Sequence, residues 1–297
     1  MQDTVARCYY SFYRAISPAE VFNLVYFMGK RIEYIDAAKA LGIIAVIVGH
    51  CFWRTSIPYL VPFIYSFHMP MFFMISGMFI NENSLSISFK RNARNYLIPY
   101  LFGCAIQLMA VLVVSYRTNG FFNFLPLIKV WVLAVFFAKG STDCSLLGSL
   151  PAIGPLWFLA ALFWGATFYS YIKKIRSSLS RILLIVLLFT LSYMSLRIIR
   201  LPFCVQVGLS SIVFLWLGDI IKKYNLVEIM IKEKICIFAA LSLWCLVVLG
   251  GSLYMNAGSY SMGLTSVIGS FCAVLLILSF LRKSTMGGGL EAQHCLS

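Results

Sequence analysis

Eight stretches of this chain are apolar over enough residues to cross a bilayer, and they leave little else to fold. They run near 34–53, 60–80, 96–116, 155–172, 181–199, 203–221, 235–254 and 263–281. A hydrocarbon core about 30 Å thick takes roughly 20 helical residues. Backbone polar groups in lipid have to be satisfied within the segment itself. The expected fold class is therefore all-α, a polytopic transmembrane helical bundle of about 8–10 spans. The 297 residues are 61% hydrophobic and 11% charged, with a mean hydropathy of +0.89. Soluble chains carry roughly 25% charged residues.

A formal net charge of +14 raises the question of nucleic acid. The Lys and Arg residues argue against it, because they sit in short clusters between apolar runs and form no basic face with interleaved aromatics. They behave instead as orientation signals. With the N-terminus inside, the inner loops hold Lys30 and Arg31; Lys90, Arg91 and Arg94; Lys173, Lys174, Arg176 and Arg181; Lys222, Lys223, Lys232 and Lys234; and Arg282 and Lys283. The outer loops hold only Arg54, Arg117, Lys139, Arg197 and Arg200. The run 125–138 is short and contains Lys129. If it crossed, the cluster around Lys173 would fall outside. It reads as an interfacial or re-entrant piece, which leaves eight spans and both ends in the cytoplasm. The expected location is the cell inner (plasma) membrane.

Three segments are expected. Residues 1–30 form an N-terminal arm with no signal-peptide pattern, and Met28 opens a basic lead that looks like a natural start. Residues 31–283 form the membrane domain. Residues 284–297 are polar and Gly-rich and read as a disordered tail, with a frameshift near Ser284 as one origin. Nine cysteines show no CxxC pair and no metal-ligand spacing. Cys51, Cys104, Cys204, Cys236, Cys245 and Cys272 lie in apolar runs and read as small buried hydrophobes. No metal site is expected.

Chemistry concentrates between Arg31 and Ile80. Asp36, Lys39, His50 and His68 interrupt runs that otherwise suit lipid, and an ionisable group inside a span is a functional candidate by default. Asp36 and Lys39 are three apart and can pair. Lys39 and His50 are eleven apart, which puts them about 20° apart in azimuth and about 16 Å apart along the axis. His50 then sits near the outer end, where a neutral imidazole can serve as a general base. The plainer reading is an interfacial ion pair with an interfacial imidazole. His68 falls in the outer half of the second span, at a similar depth, and is expected either to face the same cavity or to join an aromatic belt. Pro70 follows it and removes a backbone donor.

Gly42 admits another helix or a ligand. Ser76 and Gly77 suit tight helix packing, and Ser76 is also a candidate for substrate contact. Trp157 opens the span after an outer loop as an anchor or a substrate-binding residue. Arg91 and Arg94 either set orientation or clamp phosphate, which Arg grips bidentately. Asp219, with Lys222 and Lys223, reads as a charge pair where a span leaves the membrane. Walker, GxSxG and HExxH patterns are absent.

Taken together these residues resemble the membrane-bound acyltransferase 3 family, in the branch similar to fucose 4-O-acetylases. The resemblance rests on Asp36, Lys39, Gly42, Gly49-His50, Ser66-Phe67-His68-Met69-Pro70, Phe72-Phe73, Ser76-Gly77, Pro99-Tyr100 and Leu156-Trp157-Phe158-Leu159, and covers about Arg31 to Lys283. It implies transfer of an acyl group, usually acetyl, from cytoplasmic acyl-CoA to a sugar hydroxyl of a surface polysaccharide or lipid-linked glycan. Many members carry Arg eleven positions before the first-span His; Lys39 holds that place here. Family members typically have about ten spans, so this shorter chain departs from them at its end.

The catalytic candidates are His50, Lys39 and Asp36. The substrate-binding candidates are His68, Ser76 and Trp157, and the acyl-CoA phosphates fall to Arg91 and Arg94. Whether His50 is a base or a covalent acyl carrier is open at this stage. Acetyl-CoA is expected as donor rather than as a resident cofactor. The bilayer and a glycan are the expected partners, and nucleic acid is not. A proton-coupled transporter is the rival class, but no second copy of the Asp36–His50 pattern supports an internal repeat. An inactive, truncated family member is the other.

Overall fold

A computed structural model describes residues 32–51, 57, 59–119, 124–140, 150–251 and 253–294. Expectations for the N-terminal arm and the start at Met28 lie outside the described residues. The described helices are α1 (Glu33–Cys51), α2 (Leu60–Gly77), α3 (Leu85–Asn92), α4 (Ile98–Asn119), α5 (Phe124–Phe137), α6 (Trp157–Ile172), α7 (Ser178–Ser195), α8 (Val205–Lys223), α9 (Leu226–Lys232), α10 (Lys234–Gly250) and α11 (Leu264–His294). A five-residue π-turn, Ala93–Leu97, joins α3 to α4. A small hairpin, β1 (Leu253–Tyr254) and β2 (Ser259–Tyr260), joins α10 to α11.

Among the described residues, seven helices are long and apolar enough to cross a membrane. The pair α9 and α10, bent by 106° at one residue, brings the number to eight when taken as one span. The chain is thus an all-helical multi-pass membrane protein. Helix α5 is apolar but shorter than a crossing. It ends at Ala138, a non-glycine residue at φ 49°, after Tyr100 of α4 has donated a 2.5 Å hydrogen bond to the Val135 carbonyl. Helix α11 continues past Lys283 to His294, where composition alone favoured an irregular tail.

Helices α2, α6 and α8 form the centre, with α11 packed along α2, while α4 and α7 turn most of their surface outward. The centre is tight because it is lined with glycine and serine. A side chain at Gly77 would run into the Leu215 carbonyl of α8, and one at Gly218 into the Met74 carbonyl of α2. Gly165 of α6 and Gly208 of α8 do the same for their own crossing, against Ser211 and Trp164. Small residues let helix backbones approach closely, which is how membrane helices gain contact where lipid offers no hydrophobic drive. Helix α1 packs by the same rule: its buried positions are Ile35, Ala38, Gly42, Ala45 and Gly49, at spacings of three and four.

The end of the bundle where α2 stops is held by polar contacts. Lys173 Nζ lies 2.8 Å from Asp219 Oδ1 and donates 2.9 Å to the Ile80 carbonyl, while Tyr169 donates 3.1 Å to Asp219 Oδ2. This corrects the reading of Asp219 as paired with its own neighbours. Lys222 instead stands over the Phe79 ring, 5.0 Å from its centroid, because the helix-to-helix partner is nearer and better enclosed. Asn92 donates 3.1 Å to Thr167 Oγ1, and Ser88 donates 2.9 Å to Ser170 Oγ, so α3 is fastened to α6 through buried side chains.

Candidate active site

At the opposite end, five segments enclose a cavity of about 580 Å³, within the usual size for a small-molecule site. Helix α1 contributes Val46 and His50, one turn apart. Helix α2 contributes Tyr65, His68 and Met69. Gln107 comes from α4; Gly140, Ala152, Gly154 and Pro155 come from the α5–α6 connection, with Trp157 at the start of α6; and Leu253, Tyr254, Met255, Asn256, Ala257 and Ser259 come from the hairpin.

The two imidazoles differ. His68 is 6% exposed, and its Nδ1 sits 2.8 Å from the Ile64 carbonyl oxygen. A carbonyl only accepts, so Nδ1 carries the proton and Nε2 keeps its lone pair. Tyr65 packs edge-on to His68 at 4.9 Å and to Tyr254 at 5.1 Å. Gly49 lets the Tyr65 ring approach α1 beside His50, since a Cβ there would stand 3.1 Å from that ring. His50 is exposed, and its ring has no hydrogen-bond partner among the described residues.

The predicted stripe on α1 is only partly gathered by the fold. Lys39 Nζ lies 3.2 Å from Asp36 Oδ1, with both side chains about half exposed, so that pair forms as its spacing implied. Neither residue lines the cavity. Ser76 donates 2.8 Å to the Phe72 carbonyl of its own helix and is not among the residues lining the cavity. Trp157 does line the cavity, pressed against Gly140, where a Cβ would enter the indole. Pro70 neither starts nor ends α2, which runs through it from Leu60 to Gly77. Arg91 lies in the last turn of α3 and Arg94 in the π-turn. From Arg94 to Gln107 the helix climbs about 20 Å. The arginines and the cavity are thus at different depths of one continuous rod.

Several residues of the site were not singled out from sequence. Gln107 had a signal, an amide in the apolar run of α4, and its Oε1 is buried without a partner. Tyr254, Asn256 and Ser259 come from a connecting loop, where function often resides. Lys139, counted among the outer-loop charges, is instead 1% exposed and donates 2.6 Å to the Leu150 carbonyl. Its own carbonyl accepts from the Ile153 N–H at 2.8 Å, so it anchors the connection that lines the cavity. Among the described residues no three His, Cys, Asp or Glu side chains are grouped to hold a metal ion.

Comparison with known families identifies the class to which this multi-pass bundle belongs. The acyltransferase 3 model, described as an acyltransferase domain, matches residues 32–288. The chain belongs to that family. It is 31% identical over 166 residues to the nodulation protein NolL of Sinorhizobium fredii, a stretch covering 50% of this chain and 39% of that protein. Comparison with solved structures gave no significant match.

Proposed function

We propose that this protein is an integral membrane O-acyltransferase that moves an acyl group, acetyl first among them, from cytoplasmic acyl-CoA to a sugar hydroxyl of a surface polysaccharide or lipid-linked glycan. The observation that carries this reading is the cavity in which His50 and the Nε2 lone pair of His68 stand among aromatic and amide side chains. His68 Nε2 accepts a hydrogen bond from the acceptor and orients it. His50 removes the hydroxyl proton, the oxygen attacks the thioester carbonyl, the C–O bond forms and the C–S bond breaks. The coenzyme A thiolate leaves and is protonated from solvent. The exposure of His50, with no hydrogen bond holding its ring among the described residues, favours a base over a held acyl carrier. Arg91 and Arg94 take the donor phosphates, and the pantetheine arm spans the distance to the cavity. Lys39, braced by Asp36, supplies positive charge along the same face of α1.

The basic clusters at the Lys173 end favour that end as cytoplasmic, and on this reading both ends of the described chain are inside and the cavity is toward the outer face. The test is transfer of labelled acetyl from acetyl-CoA to glycan in membranes. His50→Ala should lower transfer by about 100-fold or more, the usual range for losing a general base, with insertion unchanged. Lys39→Arg should retain more activity than Lys39→Ala, because charge is what the position supplies. Wild-type transfer by a well-inserted His50→Ala protein would remove the catalytic assignment.

A further inference from the structure

Away from the cavity, at the Lys173 end of the bundle, α8 stops at Lys222 and Lys223 and α10 begins at Lys234. Between them α9 continues neither rod. It meets α10 at 106°, so an α10 that crosses the bilayer leaves α9 lying near the plane of its surface. The inward side of α9 is pinned there. Val227 and Met230, three apart, are buried. The Ser279 hydroxyl of α11 donates 3.4 Å to the Val227 carbonyl. Glu228 pairs with Arg282 of α11, whose guanidinium also stands over the Tyr34 ring of α1, 5.5 Å from its centroid.

The outward side is basic and apolar at once. Lys222, Lys223, Lys232 and Lys234 are all exposed. Beside them in the chain, Tyr224, Ile229 and Ile235 are exposed as well. Lys223 lies over the Tyr224 ring, 5.1 Å from its centroid, as Lys222 lies over Phe79, so each stem rests on an apolar surface with its ammonium at the polar edge. Of the two acids in this stretch, Glu228 is taken by Arg282, and Glu233 stands between Lys232 and Lys234. Orientation in the membrane requires positive charge in a loop. It does not require a helix laid flat and pinned from behind, nor exposed apolar side chains next to the cations. A soluble polyphosphate would use the lysines and leave the apolar side chains in water. A phospholipid with an anionic headgroup engages both, phosphate against ammonium and acyl chain against Ile and Tyr.

We propose that the corner formed by α8, α9 and α10 is a binding surface for anionic phospholipid headgroups, with Lys223, Lys232 and Lys234 at the phosphates and Tyr224, Ile229 and Ile235 against the upper acyl chains. The surface stands apart from the transfer site, and its occupancy is measured without donor or acceptor.

Photolabelling locates the lipid. The full-length protein is placed in nanodiscs of phosphatidylcholine and phosphatidylglycerol in equal parts. A trace of either lipid carrying a diazirine close to its headgroup is added, and the adducts are mapped by mass spectrometry. The phosphatidylglycerol probe should label residues 222–235 about fivefold or more above the phosphatidylcholine probe, the worth of a single lysine near an anionic surface. High salt should narrow the difference. The triple variant Lys223→Gln, Lys232→Gln, Lys234→Gln should lose the preference. The triple variant Lys90→Gln, Lys174→Gln, Arg176→Gln removes as much charge from other loops and should keep it. Equal thermal midpoints in phosphatidylcholine alone show that both variants are folded; should either fail to fold, the comparison of probes on the wild-type protein still decides. Equal labelling by the two probes overturns the proposal, as does a preference that survives in the first variant or falls equally in both. Excess acetyl-CoA should leave the labelling unchanged. Displacement of the probe by acetyl-CoA would assign these lysines to the donor phosphates and overturn the lipid site.

Discussion

Gly218→Ala tests whether the close crossing of α2 and α8 positions the site. The new methyl would overlap the Met74 carbonyl oxygen, and its distance to the Met74 carbonyl carbon would be 2.6 Å, where ordinary contact begins near 3.4 Å. The obstacle is backbone, so no rotamer change relieves it. The helices have to part by about 1 Å, and a gap of that size forfeits roughly a quarter to a half of the dispersion energy across the contact. Overpacking of this kind costs about 1–3 kcal/mol. At about 2 kcal/mol, a chain of this size should lose roughly 4–8 °C in its unfolding midpoint. Helix α2 also carries Tyr65 and His68, so acyl transfer should fall as well, at temperatures where the protein is still folded. The assay pairs thermal unfolding of the purified protein in detergent with transfer measured well below the midpoint. Ser76→Ala is the control, because it loses only a hydroxyl bonded to the Phe72 carbonyl of its own helix. A Gly218→Ala midpoint within 1 °C of wild type, an order-of-magnitude bound on measurement error, would refute the argument that backbone contact sets this crossing.

Three further outcomes are expected. Arg91→Ala and Arg94→Ala should raise the KM for acyl-CoA by about tenfold with a smaller change in kcat, and the effect should shrink at high salt; an unchanged KM would move the donor phosphates elsewhere. Lys173→Met should destabilise the protein by about 2–3 kcal/mol, since it leaves Asp219 charged and poorly compensated, and adding Asp219→Asn should recover at least half of that loss; strictly additive losses would show that the pair is not coupled. Reporter fusions after Lys174 and Lys223 should report cytoplasm and a fusion near Asn256 the outside; the reverse pattern would invert the proposed orientation.

The spans were legible because crossing a membrane is a property of apolar length, which a sequence displays directly. Local pairs were legible too: Asp36 and Lys39, three apart, do meet, and Gly77, expected to suit tight packing, does mark a close crossing. What the sequence concealed depends on neighbours distant in the chain. Asp219 had two lysines within four residues, yet its partner is Lys173, 46 positions away. Lys139 looked like a loop charge, and only the turn at Ala138 shows why it points inward. Gln107 and Asn256 lie 149 positions apart in the sequence and line one cavity. Their relation exists only once α4 and the hairpin are assembled.

The π-turn at Ala93–Leu97 has a consequence for how such a rod is tuned. A π-turn accommodates one residue more than an α-turn, and one residue in an α-helix is worth about 100° of rotation. The side on which Arg91 stands is therefore set separately from the side on which Gln107 stands, although both belong to one continuous axis. Removing a single residue within 93–97 would close the turn into regular helix and swing the arginine end around the axis, while α4 and its amide stayed where their packing holds them. The angle between the two ends is thus encoded by chain length, and it can change without altering any side chain that either end uses.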